Sequence, residues 1–227
     1  MKTSLSEIEE AALRLKGVAE KTPLQFNKRL SEQFDAKIYL KREDQQIVRS
    51  FKIRGAYNKM STLTKEEQKR GIVCASAGNH AQGVAFGCSA LKIKGAIFMP
   101  AITPNQKIEK VKQFGGKYVE VILVGNTFDE ASQASQNYCE EKGAVYVHPF
   151  NDPYTIAGQG TVGKEIYEQL EGKVDYVISC IGGGGIISGV SSYLKAKNEN
   201  ITVIGAEPNG AASMHASVSR GALTTLE

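Results

Sequence analysis

The chain has 227 residues, 41% hydrophobic and 23% charged, the balance of an ordinary globular protein with room for one large domain or two small ones. Its 28 basic and 24 acidic residues leave a formal charge of +4 with no Lys/Arg stripe interleaved with aromatics, so a nucleic-acid partner is not expected. No apolar run approaches membrane-spanning length and residues 1–7 lack an apolar core, so neither a membrane helix nor a secretory leader is expected.

The pattern predicts an opening helix over 6–16, with Ser6 as its N-cap and Ile8, Ala11, Ala12 and Leu15 at helical spacing; Thr22-Pro23-Leu24 breaks it. A strand over 37–41 and a helix over 55–63 follow. A regular alternation then begins: strand 71–75, helix 79–91, strand 96–100, helix 104–114, strand 118–124, helix 127–141, strand 144–148. It continues with helix 155–170, strand 174–180, helix 186–195 and strand 201–206. Pro104 near a helix start and Gly115-Gly116 after its end follow the usual asymmetry of helix termini. Alternation with short connections predicts parallel sheets covered by helices, an α/β fold. Residues 207–227 are small and polar with no helical pattern, and the strand before them lacks its covering helix, so the chain is expected to be a fragment of a longer one.

The four cysteines, Cys74, Cys88, Cys139 and Cys180, form no Cys-x-x-Cys pair and lie mostly in apolar stretches, which points to buried free thiols and a reducing cytoplasm. The histidines, His80, His148 and His215, show no metal-ligand spacing, and no nucleophile elbow of the Gly-x-Ser-x-Gly type occurs in a fitting setting.

Three motifs carry chemistry. In Ser50-Phe51-Lys52-Ile53-Arg54-Gly55-Ala56 a lysine sits between an aromatic residue and a small-residue helix start. Buried there, its amine would be neutral enough to attack an aldehyde, because desolvation penalises the ammonium; the bland alternative is a solvated helix residue. Ser76-Ala77-Gly78-Asn79-His80-Ala81-Gln82-Gly83 joins a strand to a helix and offers N–H groups for a carboxylate. Alternatively, Asn79 is a helix cap and His80 a structural core histidine. Gly182, Gly183, Gly184 and Gly185, followed by Ile186, lie between a strand and a helix and form a phosphate cradle, with a flexible turn as the alternative. That loop is neither a Walker loop nor a dinucleotide fingerprint. An aldehyde, a ring and a phosphate together describe pyridoxal phosphate.

With these motifs in order, the chain resembles the threonine dehydratases (threonine deaminases) of the tryptophan-synthase-β-like group of pyridoxal-phosphate enzymes. Lys41-Arg42-Glu43-Asp44 and Ala157-Gly158-Gln159-Gly160-Thr161 also resemble stretches of that family. The resemblance implies two parallel-sheet, three-layer α/β domains with the cofactor, pyridoxal 5′-phosphate, between them. The smaller domain, 52–147, would be inserted into a larger one formed by 1–51 and 148–227 and incomplete at its C-terminus. It also implies that Lys52 forms the Schiff base, that Phe51 packs near the cofactor and that Asn79 bonds its ring hydroxyl. Gly182 to Gly185 and the Ile186 amide would hold the phosphate. Ser76, Ala77, Gly78, Asn79 and His80 would surround the substrate carboxylate.

The implied activity is deamination of L-threonine to 2-oxobutanoate and ammonia, the first step of isoleucine biosynthesis, by a cytoplasmic homo-oligomer that also accepts L-serine. Alternatives are a serine dehydratase, a serine racemase, or a truncated binding module without turnover. Ala77 stands where the related racemases place a catalytic serine, which favours elimination. The family's partner for the pyridine nitrogen falls beyond Glu227. Glu207 matches the first ligand of a cation site in some relatives, but Ser213 stands at the later acidic position, so no metal is expected.

Overall fold

The computed structural model describes residues 3–226. Helix α1 (Leu5–Leu15) is capped by Ser4, not Ser6: the Ser4 hydroxyl accepts from the Glu7 N–H while the Glu7 carboxylate accepts from the Ser4 N–H. Strands β1 (Leu24–Phe26) and β2 (Tyr39–Lys41) pair antiparallel on either side of α2 (Lys28–Phe34). Helix α3 (Lys52–Ser61) begins three residues ahead of the expected Gly55, so Lys52 is its first residue. The short α4 (Lys65–Arg70) follows.

The alternation predicted from the sequence appears next: β3 (Ile72–Ala75), α5 (Asn79–Leu91), β4 (Gly95–Met99), α6 (Asn105–Gly115), β5 (Val119–Leu123), α7 (Phe128–Lys142) and β6 (Val145–Tyr146). The four strands form one parallel sheet in the order β5-β4-β3-β6. Every residue of β3 and β4 is buried, as expected of a sheet covered on both faces. Cys74, Ile97 and Met99 point to one face and pack with Met60, Val84 and Ile108 of α3, α5 and α6. Val73, Ala75 and Phe98 point to the other and pack with Ala134 and Tyr138 of α7.

Helix α8 (Pro153–Gln169) is the spine of the rest, lying against α1, α3 and α9 (Gly185–Lys197). A second parallel pair, β7 (Tyr176–Cys180) and β8 (Thr202–Ala206), flanks α9. The α3–α8 contact is close because of one glycine: a Cβ on Gly158 would stand 2.5 Å from the Arg54 carbonyl oxygen and 2.7 Å from the Gly55 Cα.

The C-terminal stretch corrects the sequence reading, for residues 213–220 form helix α10 (Ser213–Arg220). Its N-terminus is satisfied from a distance. The Glu207 carboxylate accepts from the Met214 N–H at 3.0 Å and the His215 N–H at 2.8 Å, and Gly221 closes the helix in the left-handed conformation.

Candidate active site

Two of the three motifs sit where a parallel sheet offers its loops, at the carboxyl ends of strands. The segment 76–80 follows β3 and the glycine loop follows β7. Lys52 opens α3, which lies against α5.

Half-buried Lys52 extends its Nζ to the Pro149 carbonyl, 2.7 Å away, with the Phe51 ring centroid 5.5 Å off. Burial lowers its pKa to about 8, opposed only weakly by the Cys180 thiol. Among the described residues no carboxylate contributes to holding the proton on. The amine is thus within reach of neutrality near physiological pH.

Helix α5 has no side-chain cap. Its N-cap is Gly78, so Asn79 is not the cap that one reading allowed; its exposed side chain is free for another partner. The Ser76 hydroxyl accepts from the Gly78 N–H at 3.1 Å and shapes the turn. An uncapped helix start presents unsatisfied N–H groups and a partial positive charge, a seat for a carboxylate. His80 is buried, and its Nε2 donates to the Val147 carbonyl at 2.8 Å. Burial, helped by the charge of Lys52, pushes its pKa down to about 3, so the ring is neutral, and its buried Nδ1 has no partner among the described residues.

The glycine loop repeats the arrangement. Gly184 takes φ +81°, a left-handed conformation that favours glycine, and α9 starts directly after it without a side-chain cap. A Cβ on Gly182 would meet nothing within 4 Å, so the backbone there borders open space. On its inner side the loop rests on Phe150: a Cβ on Gly183 would strike the Phe150 ring.

Sequence reasoning missed segment 147–150, which touches all three motifs. Val147 holds His80, Pro149 holds Lys52, and Phe150 lies under the glycine loop. The His148 Nδ1 accepts from the N–H groups of Phe150 (3.2 Å) and Asn151 (2.8 Å), which fixes the bend, and its ring stands edge-on to Phe150 at 4.6 Å. Burial lowers the His148 pKa and Lys52 adds to that, while Asp152 opposes it. The available signal was position: these residues end and follow the predicted strand 144–148 of a parallel sheet, at the end where ligands bind.

Lys52, the uncapped start of α5 and the glycine cradle fit an aldehyde-bearing, phosphorylated ring. A family model for pyridoxal-phosphate dependent enzymes matches residues 15–227. The chain belongs to that family. It is 53% identical over 220 residues to the biosynthetic L-threonine dehydratase IlvA of Staphylococcus epidermidis, covering 96% of this chain and 52% of that protein. Among solved structures it resembles the processed threonine deaminase isoform 2 of Solanum lycopersicum, with TM-score 0.90 and 42% identity over 100% of this chain and 67% of that one. It also resembles maize serine racemase, with TM-score 0.94 and 36% identity over 100% of this chain and 68% of that one. The fold is therefore the tryptophan-synthase-β-like one of pyridoxal-phosphate enzymes. The chain spans about half the length of the curated relatives it matches. Among the described residues no helix is long and apolar enough to cross a membrane.

Proposed function

We propose that the chain carries the cofactor and carboxylate sites of a threonine dehydratase, which deaminates L-threonine to 2-oxobutanoate and ammonia by elimination of the β-hydroxyl. The observation that carries this reading is the convergence of Lys52, the start of α5 and the glycine loop on segment 147–150. Identity near 50% to proteins named biosynthetic L-threonine dehydratase supports the substrate and a place in isoleucine biosynthesis.

In this proposal the Lys52 amine holds the cofactor aldehyde, Phe51 flanks its ring and Asn79 meets the ring hydroxyl. The N–H groups of Gly182, Gly183, Gly184, Gly185 and Ile186 hold the phosphate at the positive end of α9. When bound, the cofactor supplies an electron sink for the charge left on the substrate α-carbon. The N–H groups of residues 76–80 hold the substrate carboxylate, which points the α-hydrogen at Lys52. The Lys52 Nζ, once free, accepts that proton, a role its lowered pKa suits. The division into a small body, 52–147, and a large one, 1–51 with 148–227, belongs to the same proposal. So do a cytoplasmic setting, which four free thiols support, and assembly as a homo-oligomer.

The likeness to maize serine racemase favours a second reading, a serine enzyme. Threonine and serine differ by one methyl group, which a pocket distinguishes by only about 1–3 kcal/mol. Against racemisation, the Ala77 side chain has no hydroxyl to deliver a proton from the second face.

The test offers threonine and serine separately to the protein supplied with pyridoxal phosphate. Faster 2-oxobutanoate from threonine, abolished in Lys52→Ala, is expected. Pyruvate from serine alone, or inverted serine without keto acid, moves the assignment to the serine enzymes. Cofactor absorbance without turnover marks a binding module.

A further inference from the structure

Two stretches that resemble the family, 41–44 and 157–161, have no role in the site above, yet both reach one residue of the lysine helix. Arg54 lies two residues after Lys52 with its side chain 2% exposed, and every guanidinium N–H is used. Nε and Nη2 donate to the Glu43 carboxylate at 2.8 and 2.7 Å, and Nη1 and Nη2 to that of Glu165 at 2.7 and 3.0 Å. Nη1 also reaches the Thr161 hydroxyl at 3.1 Å, and Nη2 the Glu20 carbonyl at 3.1 Å. Lys41 completes the cluster: its Nζ donates to Glu165 at 2.6 Å, the Thr22 carbonyl at 2.7 Å and Gln169 at 2.9 Å. Two cations face two carboxylates, so the cluster is neutral.

We infer that Arg54 is a positioning residue that fixes the rotation and register of the first turn of α3, and through it the place of the Lys52 amine. This rests on the reading of Lys52 as the reactive lysine.

Three observations carry the inference. First, that turn has little else to hold it: its N-cap, Phe51, makes no capping bond, no acidic residue lies in the turn to offset the helix dipole, and the other side-chain bond to its backbone is a 3.3 Å one from the Gly55 N–H to the Gln159 Oε1. Second, the first turn of α3 meets α8 and α5 at glycines, whereas the Asn58 bond to the Tyr154 carbonyl and the packing of Met60 that also hold the helix lie more than a turn farther on. That first turn rests on backbone at Gly158 of α8 and at Gly83 of α5, where a Cβ would stand 3.0 Å from the Lys52 carbonyl. Smooth contacts of that kind permit sliding, whereas a bidentate guanidinium between two carboxylates admits one orientation. Third, stability alone does not account for the cluster. A buried ion pair loses in desolvation about what it gains in Coulomb attraction, and its best-attested role is to select one arrangement.

The test compares Arg54→Lys, which keeps the charge and loses the fork, with the parent. Lys52 is mapped in the cofactor-free protein by the pH dependence of its labelling with an amine reagent, with exposed Lys94 as internal control. In folded Arg54→Lys the labelling midpoint of Lys52 should move up toward the ordinary lysine value of 10.5. The kcat of the loaded enzyme should fall roughly a hundredfold with KM little changed, the scale of a 1 Å misplacement. An unmoved midpoint and kcat in a folded variant overturn the inference. If Arg54→Lys does not fold, Glu43→Gln replaces it: the amide keeps the shape, breaks one arm of the fork and should move the midpoint the same way, and an unmoved midpoint again overturns the inference. Labelling needs no turnover, so a failure of the threonine assignment leaves it readable.

Discussion

At the scale of single residues the site stores instability. Lys52 is held at about 8 by burial, against an ordinary lysine value of 10.5. The unfolded chain therefore binds more protons than the folded one between those two values. Stability is complete above about pH 10.5 and is lost as pH falls through that window to 8. At neutral pH the penalty is about 3 kcal/mol, from about 1.4 kcal/mol per unit. Lys52→Met should abolish keto-acid release yet raise the urea midpoint at pH 7, with the gain shrinking as pH rises from about 8 to 10.5; a destabilised variant at pH 7 contradicts this. His80 has the same sign lower on the scale. Its ring is held neutral with a pKa near 3 against 6.5, so stability is lost as pH falls from 6.5 toward 3. His80→Gln should flatten the pH dependence of thermal unfolding between pH 6.5 and 4, whereas a slope equal to the parent's would mean that other groups carry it. The sequence showed these residues but not their environments. That Asn79 caps nothing, or that the His80 Nδ1 lacks a partner, depends on residues distant in sequence, such as Val147.

At the scale of elements, the long helices and most strands were legible and the short exposed helices were not. Each strand from β3 to β6 falls within or beside a predicted strand, because a covered parallel strand reads as a short apolar run between glycines. Helices α2, α4 and α10 have no buried residue, so none shows the apolar stripe on which periodicity depends. For α4 a readable signal existed, the box Thr64-x-x-Glu67 closed by Gly71. For α10 there was none, since its capping carboxylate stands six residues before the helix. The α3–α8 contact gives the prediction at this scale. Gly158→Ala places a methyl against the Arg54 carbonyl and the Gly55 Cα, both backbone atoms that cannot swing aside. The helices must part, which should lower unfolding free energy by about 1–3 kcal/mol. Because Arg54 and Lys52 share a turn, cofactor affinity measured by absorbance titration should fall with it. A loss of stability with unchanged affinity would show that the spacing of α3 and α8 does not reach the site.

At the scale of the whole molecule, charge and cysteine both follow from the parallel topology. A cavity of about 510 Å³ lies at the amino ends of the strands, lined by Lys69, Arg70, Lys94, Lys117 and Lys142. Lys69 and Arg70 end α4 and Lys142 ends α7, where cations offset the negative ends of helix dipoles, so this basic patch has a structural origin away from the three motifs. The opposite ends of the strands carry the candidate site, and the thiols report on the difference. Cys74 within β3 and Cys88 within α5 are buried, with burial raising the Cys88 pKa to about 12 and that of Cys74 further still. Cys180 ends β7 and is exposed, two residues before the glycine loop. A thiol reagent attacks the thiolate, so exposure and pKa together set the order of reaction. Cys180 should react first, the half-buried Cys139 more slowly because its pKa is also raised, and Cys74 and Cys88 only on unfolding. Pyridoxal phosphate seated in the glycine loop should slow Cys180 and leave Cys139 unchanged, because Cys139 sits on α7, away from that loop. Mass-mapped labelling with and without the cofactor reads both. Equal slowing at both cysteines would mean a general tightening of the fold, and no slowing at Cys180 would place the cofactor elsewhere than at residues 182–186.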